Sequence, residues 1–248
     1  MYIPPEKEIE KKLEAVYTEI FSNLGRFKGS FIAGGSITSL VLGEEPNDYD
    51  IWFETVADWE NACHLARRAV GDFNEGPVTI ICETEHALTF KLLGMTPVLQ
   101  FVKSRTGAYD EVIEQFDFLH AQAAYLPSDE DGLEGELLFG NRNCIDFIKE
   151  KVLVFEGKLD YPIHTLSRLQ KFAKRGWIVP DQTLACLIRE IRRADQDLID
   201  RDQNACGMKY GGEDYLGAKK AALEAEHKII HDPETQQCTC AICEGIFT

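Results

Sequence analysis

The chain has 248 residues, enough for one large domain or two smaller ones with a substantial core. Apolar residues make up 44% and charged residues 27%, an ordinary globular balance, but the formal net charge is −16. Such a charge argues against a general nucleic-acid coat, so a polyanionic partner would need a local basic patch or bound cations. The opening MYIPPEKEIEKK has no apolar signal core and no later run approaches membrane-spanning length. The eight cysteines are scattered, with three bunched at the end, unlike a secreted disulfide framework. A cytoplasmic, reduced protein without a membrane partner is expected.

In chain order, Ile9, Leu13, Val16 and Ile20 recur at helical spacing and predict an amphipathic helix over 6–24. A strand then runs to Ala33, a short helix covers 36–42 and closes at Gly43, EEPND turns, and 49–53 is a strand. A helix over 58–70 places Ala62, Leu65, Ala66 and Ala69 on one face. Three β-rich runs follow, VTIICET, ALTFKLL and PVLQFVKS, the last two joined by a hairpin through Gly94. A helix over 109–115 and the stretch FDFLHAQAAY lead to the acidic loop SDEDGLEGE, which reads as a solvated surface. After about Tyr161 the pattern becomes helical, with helices expected over 163–175, 181–203 and 213–231.

The stretch GGSITSLVLGEEPNDYDIWF, residues 34–53, carries the chemistry. Residues two apart on a strand share a face, so Asp48 and Asp50 project together while Tyr49 points away. Two neighbouring carboxylates repel, and a divalent cation relieves the repulsion; hard oxygen ligands suit Mg²⁺ (or Mn²⁺) better than Zn²⁺. Gly34, Gly35 and Ser36 supply a turn whose backbone N–H groups can approach a phosphate closely, at the positive end of a helix. Taken singly, Gly-Gly-Ser is an ordinary turn and Asp-x-Asp occurs in calcium loops; a strand, a short helix and an apolar strand around both is a more specific combination.

That arrangement resembles the nucleotidyltransferases of the DNA polymerase beta superfamily, in which a Gly-Gly or Gly-Ser turn precedes an Asp-x-Asp strand by roughly a dozen residues. Gly34, Gly35, Ser36, Asp48 and Asp50 match in type and spacing, most like the head of the CCA-adding and bacterial poly(A) polymerase branch. The resemblance implies that the aspartates hold Mg²⁺ and that the turn holds a nucleoside triphosphate (NTP). RLQKFAKRGWI, from Arg168, resembles the neck helix of that branch. Independently of family, it sets Arg168, Lys171 and Arg175 on one helical face, either a phosphate contact or a solvated basic face. The two likenesses span roughly 30–110 and 160–185.

The sequence also departs from the family pattern. The superfamily completes one metal site with a third carboxylate on a later strand, and by order that strand is PVLQFVKSR. Gln100 stands at the expected position, with Arg105 five residues on as a candidate phosphate ligand. A glutamine oxygen is neutral, binds a cation less well and cannot take a proton from an attacking hydroxyl. Asp117, between two phenylalanines on an expected strand, is either the missing ligand or a buried Asp that caps a turn or pairs with Arg105 or Lys103. No Glu-Asp-x-x-Arg stretch of the base-selecting kind is present and the helical part is short, so CCA addition itself is not expected.

At the C-terminus, His227 and His231 share a helix face, and Cys238, Cys240 and Cys243 follow closely. Thiolate and imidazole ligands at this density suit a structural tetrahedral Zn²⁺; a frayed tail with free thiols is the alternative. The expected fold is α+β: a mixed-sheet nucleotidyltransferase head over 1–160, a small helical domain over 161–231 and a Cys-rich tail over 232–248. The expected function is metal-dependent transfer of an NMP from an NTP to an acceptor hydroxyl, on an RNA 3′ end, a small molecule or a protein. The alternative is a catalytically impaired fold that binds nucleotides or proteins, with the tail as a protein-docking site in either case.

Overall fold

The computed structural model describes residues 6–71, 76–128, 135–155, 159 and 161–194. The chain divides into two compact units, Met1–Glu150 and Lys151–Thr248.

The first unit is built on a seven-stranded mixed sheet, preceded by helix α1 (Glu6–Leu24). The strands are β1 (Ser30–Ala33), β2 (Asp48–Phe53), β3 (Val78–Glu83), β4 (Ala87–Leu92), β5 (Val98–Thr106), β6 (Ala123–Leu126) and β7 (Glu136–Phe139). Their spatial order is β3-β4-β5-β2-β1-β6-β7, with β2 and β5 parallel and every other pair antiparallel. The parallel pair needs a crossover, which includes α3 (Val56–Arg68) and the β3–β4 hairpin. Thr55 caps α3 by accepting the Asp58 N–H at 3.1 Å.

One face of the sheet is the main core. Ile9, Leu13, Val16 and Ile20 of α1, the helical-period set that the sequence displays, are buried together with Tyr17 and Leu24. An aromatic chain runs from Tyr125 through Tyr17, Phe21 and Phe27 to Phe53, Phe101 and Phe90, with adjacent ring centroids 4.8–6.2 Å apart. Tyr49, Ile51 and Phe53 of β2 bury into this side. On the opposite face a smaller cluster forms where α4 (Tyr109–Ile113) lays Val112 and Ile113 over Phe31, Ala33 and Ala124.

Three elements have no counterpart in the sequence expectation: β6, β7 and α5 (Cys144–Lys149). A 3₁₀ turn at Leu119–Ala121 leads into β6 and places His120 in the interior, where its carbonyl accepts from Thr38 Oγ1 at 3.2 Å and Cys144 Sγ at 3.4 Å. Thr38 belongs to α2 (Gly35–Val41), so three short elements meet at one buried histidine.

In the second unit, α6 (Pro162–Lys174) and α7 (Asp181–Arg193) pack together. Gly176, at φ +83°, ends α6: its N–H donates to Ala173 O at 3.0 Å, and the Trp177 N–H donates to Phe172 O at 3.2 Å. Those two bonds are a Schellman cap, completed by the Phe172 and Trp177 rings at 5.1 Å. At the start of the unit, Leu153 and Lys151 exchange backbone hydrogen bonds with Ile178, and Thr183 Oγ1 donates to Leu153 O. The expected helix over 213–231, the end of the helix over 181–203 and the tail lie outside the described residues.

Candidate active site

β1 and β2 run antiparallel, with Ile32 opposite Ile51, so the turn that leaves β1 lies beside the start of β2. This pairing brings Gly34, Gly35 and Ser36 to the end of the sheet that carries Asp48 and Asp50. Gly34 sits at φ +91°, a backbone state that favours glycine, and its N–H donates to Ala123 O at 3.3 Å. A Cβ on Gly35 would meet no atom within 4 Å, and one on Gly34 would reach only Phe116 Cε2, at 3.4 Å. The bend is therefore open at Gly35, while the Phe116 ring lies against Gly34. Ser36 is buried, and its Oγ has no hydrogen-bond partner among the described residues.

β2 is buried on one face only. Asp48 is exposed and Asp50 is half-buried on the other face, about 6.6 Å apart along the strand at the usual rise. Asp50 Oδ1 is screened from solvent. The parallel register sets Asp50 beside Gln100, and the antiparallel register sets Gln100 beside Thr89. Gln100 Nε2 donates to Thr89 Oγ1 at 3.1 Å, which leaves the amide oxygen as the end not engaged with Thr89. Thr89 had no sequence signal, because only cross-strand register reveals it.

The other candidates stand outside β2. β5 is irregular beyond Gln100: between the Ile51–Phe101 and Phe53–Thr106 pairs, Trp52 alone stands opposite residues 102–105. Arg105 falls in that irregularity and donates from Nη1 to Gln115 O at 2.8 Å, tying β5 to the turn after α4. Asp117 lies on a bend rather than the expected strand and is half-buried rather than enclosed. Among the described residues, no group of three or more His, Cys, Asp or Glu side chains is placed to hold one metal ion. Arg168 and Lys171 are exposed on α6 in the second unit. With Lys174 of α6 and Arg189, Arg192 and Arg193 of α7, they make this helical pair basic within an acidic chain. His227, His231, Cys238, Cys240 and Cys243 lie outside the described residues, so the zinc expectation stays one of sequence.

Burial, and secondarily Glu45, pushes the Tyr49 hydroxyl up to about 12. Burial alone lowers His120 to about 3, so its imidazole is neutral in the folded protein. Burial raises the Cys63 and Cys144 thiols to about 12, which leaves neither as a thiolate nucleophile near neutral pH. The groups at this end of the sheet are two carboxyl groups, a neutral amide, a buried hydroxyl and a glycine bend open at Gly35.

Solved structures share this fold. A CCA-adding enzyme in complex with ATP matches with a TM-score of 0.59 and 15% identity, over 95% of this chain and 60% of that one. The Thermotoga maritima CCA-adding enzyme complexed with tRNA matches with a TM-score of 0.54 and 16% identity, over 95% of this chain and 59% of that one. A tRNA-processing enzyme complex matches with a TM-score of 0.51 and 19% identity, over 88% and 60%. The chain spans about three fifths of the length of these proteins, and at such identity the likeness establishes a nucleotidyltransferase-like fold. No curated protein matches it in sequence. The model of one protein family, described as Gad2: Gabija anti-defense 2 family protein, matches residues 7–151, the whole sheet and the turn with its two aspartates. More than half of the sequence lies inside that match, and the chain belongs to the Gabija anti-defense 2 family.

Proposed function

We propose that this protein is a metal-dependent nucleotidyltransferase whose acceptor or target lies in the Gabija defence named in its family's description. The observation that carries the reading is the placement of Asp48 and Asp50 on the half-open face of β2, next to the Gly34–Ser36 bend, which is open at Gly35. Two carboxylates and the Gln100 amide oxygen form an all-oxygen donor set suited to Mg²⁺ or Mn²⁺, and the CCA-adding relatives in fold were solved with ATP and with CTP. A divalent cation held by Asp48 and Asp50 would supply positive charge where negative charge develops on the α-phosphate.

The chain's own residues have separate roles in this reading. Gly35 leaves room for the β- and γ-phosphates, and Ser36 Oγ donates to a phosphate oxygen. A buried hydroxyl without a partner costs about 1–3 kcal/mol, which a bound phosphate recovers. The acceptor oxygen attacks the α-phosphorus, the bridging α–β P–O bond breaks, and pyrophosphate leaves. Gln100 cannot accept the acceptor's proton, so Asp50 or solvent takes it. Arg105, Arg168 and Lys171 are candidate phosphate contacts, with RNA as one class of acceptor.

A second reading is a nucleotide-binding or protein-interaction module without turnover. Its support is specific: Gln100 stands in register with Asp50, and no third carboxylate joins the pair among the described residues. One experiment separates the two. The purified protein is incubated with each NTP, with and without Mg²⁺ or Mn²⁺, alone and with RNA or with components of the defence system as acceptors, and pyrophosphate is measured. Metal-dependent release abolished by Asp48→Ala and Asp50→Ala supports the enzyme. Metal-dependent binding without release supports the module, and release unchanged in both variants overturns the proposed site.

A further inference from the structure

The face of β2 that holds the aspartates continues to a third residue, Trp52. It lies two positions past Asp50, roughly 6.6 Å farther along the strand and away from the glycine bend. On one side it is in register with Phe31, under the α4 cluster. On the other side β5 departs from regular pairing. Exposure falls along this face from Asp48, which is exposed, to Asp50 and Trp52, which are half-buried, so Trp52 stands between the carboxylates and the covered cluster. The Phe116 ring packs on it with centroids 5.3 Å apart and planes at 49°. Both rings are half-buried. Phe116 is itself held in place: its carbonyl accepts from Gln122 Nε2 at 3.3 Å, and Arg105 anchors the preceding residue.

Packing alone does not account for a tryptophan here. Trp52 Nε1 is buried and has no hydrogen-bond partner among the described residues, whereas Trp59 Nε1 donates to Phe101 O at 3.1 Å. Buried indole N–H groups usually find a partner, and phenylalanine or leucine would fill the same site without that cost. What tryptophan adds is the largest flat π surface on the border of an open face.

We infer that Trp52, backed by Phe116, is the stacking surface for the base of the bound NTP. The inference rests on the nucleotidyltransferase reading and goes one step further, assigning the nucleoside half of the ligand. With the β- and γ-phosphates at the bend beside Asp48 and the α-phosphate at Asp50, the remaining sugar and base extend along β2 by about one more strand repeat, to the level of Trp52. Stacking on an aromatic face tolerates every base, so little discrimination among the four NTPs comes from this residue.

The test compares ATP with inorganic tripolyphosphate, which lacks sugar and base, in the presence of Mg²⁺. Equilibrium binding is measured for the wild type and for Trp52→Leu, and tryptophan emission for the wild type and for Trp52→Phe, which keeps an aromatic ring if the leucine variant does not fold. ATP affinity is expected to fall about 5- to 150-fold in Trp52→Leu while tripolyphosphate affinity is unchanged. ATP is expected to quench wild-type emission, tripolyphosphate is not, and the ATP-dependent quench disappears in Trp52→Phe. Unchanged ATP affinity, equal losses for both ligands, or a quench that survives in Trp52→Phe overturns the inference while leaving the phosphate site standing. Failure of the wild type to bind either ligand removes the nucleotidyltransferase reading and the stacking role with it.

Discussion

His120 makes the fold sensitive to mild acid. Its side chain is buried, stacked at 5.5 Å on Phe118, and burial lowers its pKa from 6.5 to about 3. The unfolded chain takes up a proton at this residue below 6.5 and the folded chain does not. Stability attributable to His120 is therefore complete above pH 6.5 and is lost progressively as the pH falls toward 3. At pH 5 the expected loss relative to pH 8 is about 2 kcal/mol, and the full window is worth about 4–5 kcal/mol. Urea unfolding at the two pH values measures it in the wild type and in His120→Gln, which keeps a polar side chain but cannot titrate. Carboxylates contribute to acid sensitivity in both proteins, so the difference between the two pH dependences isolates the histidine. Equal pH dependences for the two proteins would show that His120 protonates within the fold, and the burial argument would fail.

Other substitutions probe other levels of the structure. Leu13→Ala removes a fully buried side chain between α1 and the sheet; a loss of about 2–5 kcal/mol is expected in urea unfolding. Gly176→Ala forces a Cβ onto a residue at φ +83° in the cap of α6, where it meets no atom within 4 Å. The cost is then backbone strain alone, about 1–2 kcal/mol, read as a lower melting temperature. Gln100→Glu sets a third carboxylate beside Asp50; the variant should melt lower than the wild type without metal and gain more from added Mg²⁺. An equal Mg²⁺ response in both proteins would remove residue 100 from the metal's surroundings.

The local signals in the sequence translate directly into structure. The period of α1, the Gly-Gly-Ser bend, the Asp-x-Asp alternation of β2 and the aromatic cap after Gly176 each depend on residues fewer than about five apart. What the sequence leaves illegible depends on distant partners. The four residues of β6, AAYL, are too short and too uniform for a period, and they form a strand because β1 and β7 offer edges on either side. The sequence FDF reads as β-prone, yet Asp117 sits on a bend because Gln122 and Arg105 hold the neighbouring carbonyls. The alternation that points to Asp48 and Asp50 also points to Trp52, but an aromatic residue after an Asp-x-Asp strand reads as core until the sheet shows which face is open.

The aspartates pose the question of function, and their neighbours across the sheet constrain the answer. A chain that only preserved the fold would draw no stabilisation from Mg²⁺ and NTP through Asp50, whose Oδ1 is screened from solvent beside Gln100 on the adjacent strand. If a cation and a triphosphate are the partners instead, replacing Asp50 by a neutral residue loses the stabilisation that Mg²⁺ and NTP provide. Melting of Asp50→Asn with and without Mg²⁺ and ATP therefore distinguishes a retained ligand site from a fold relic, and it does so without knowledge of the acceptor.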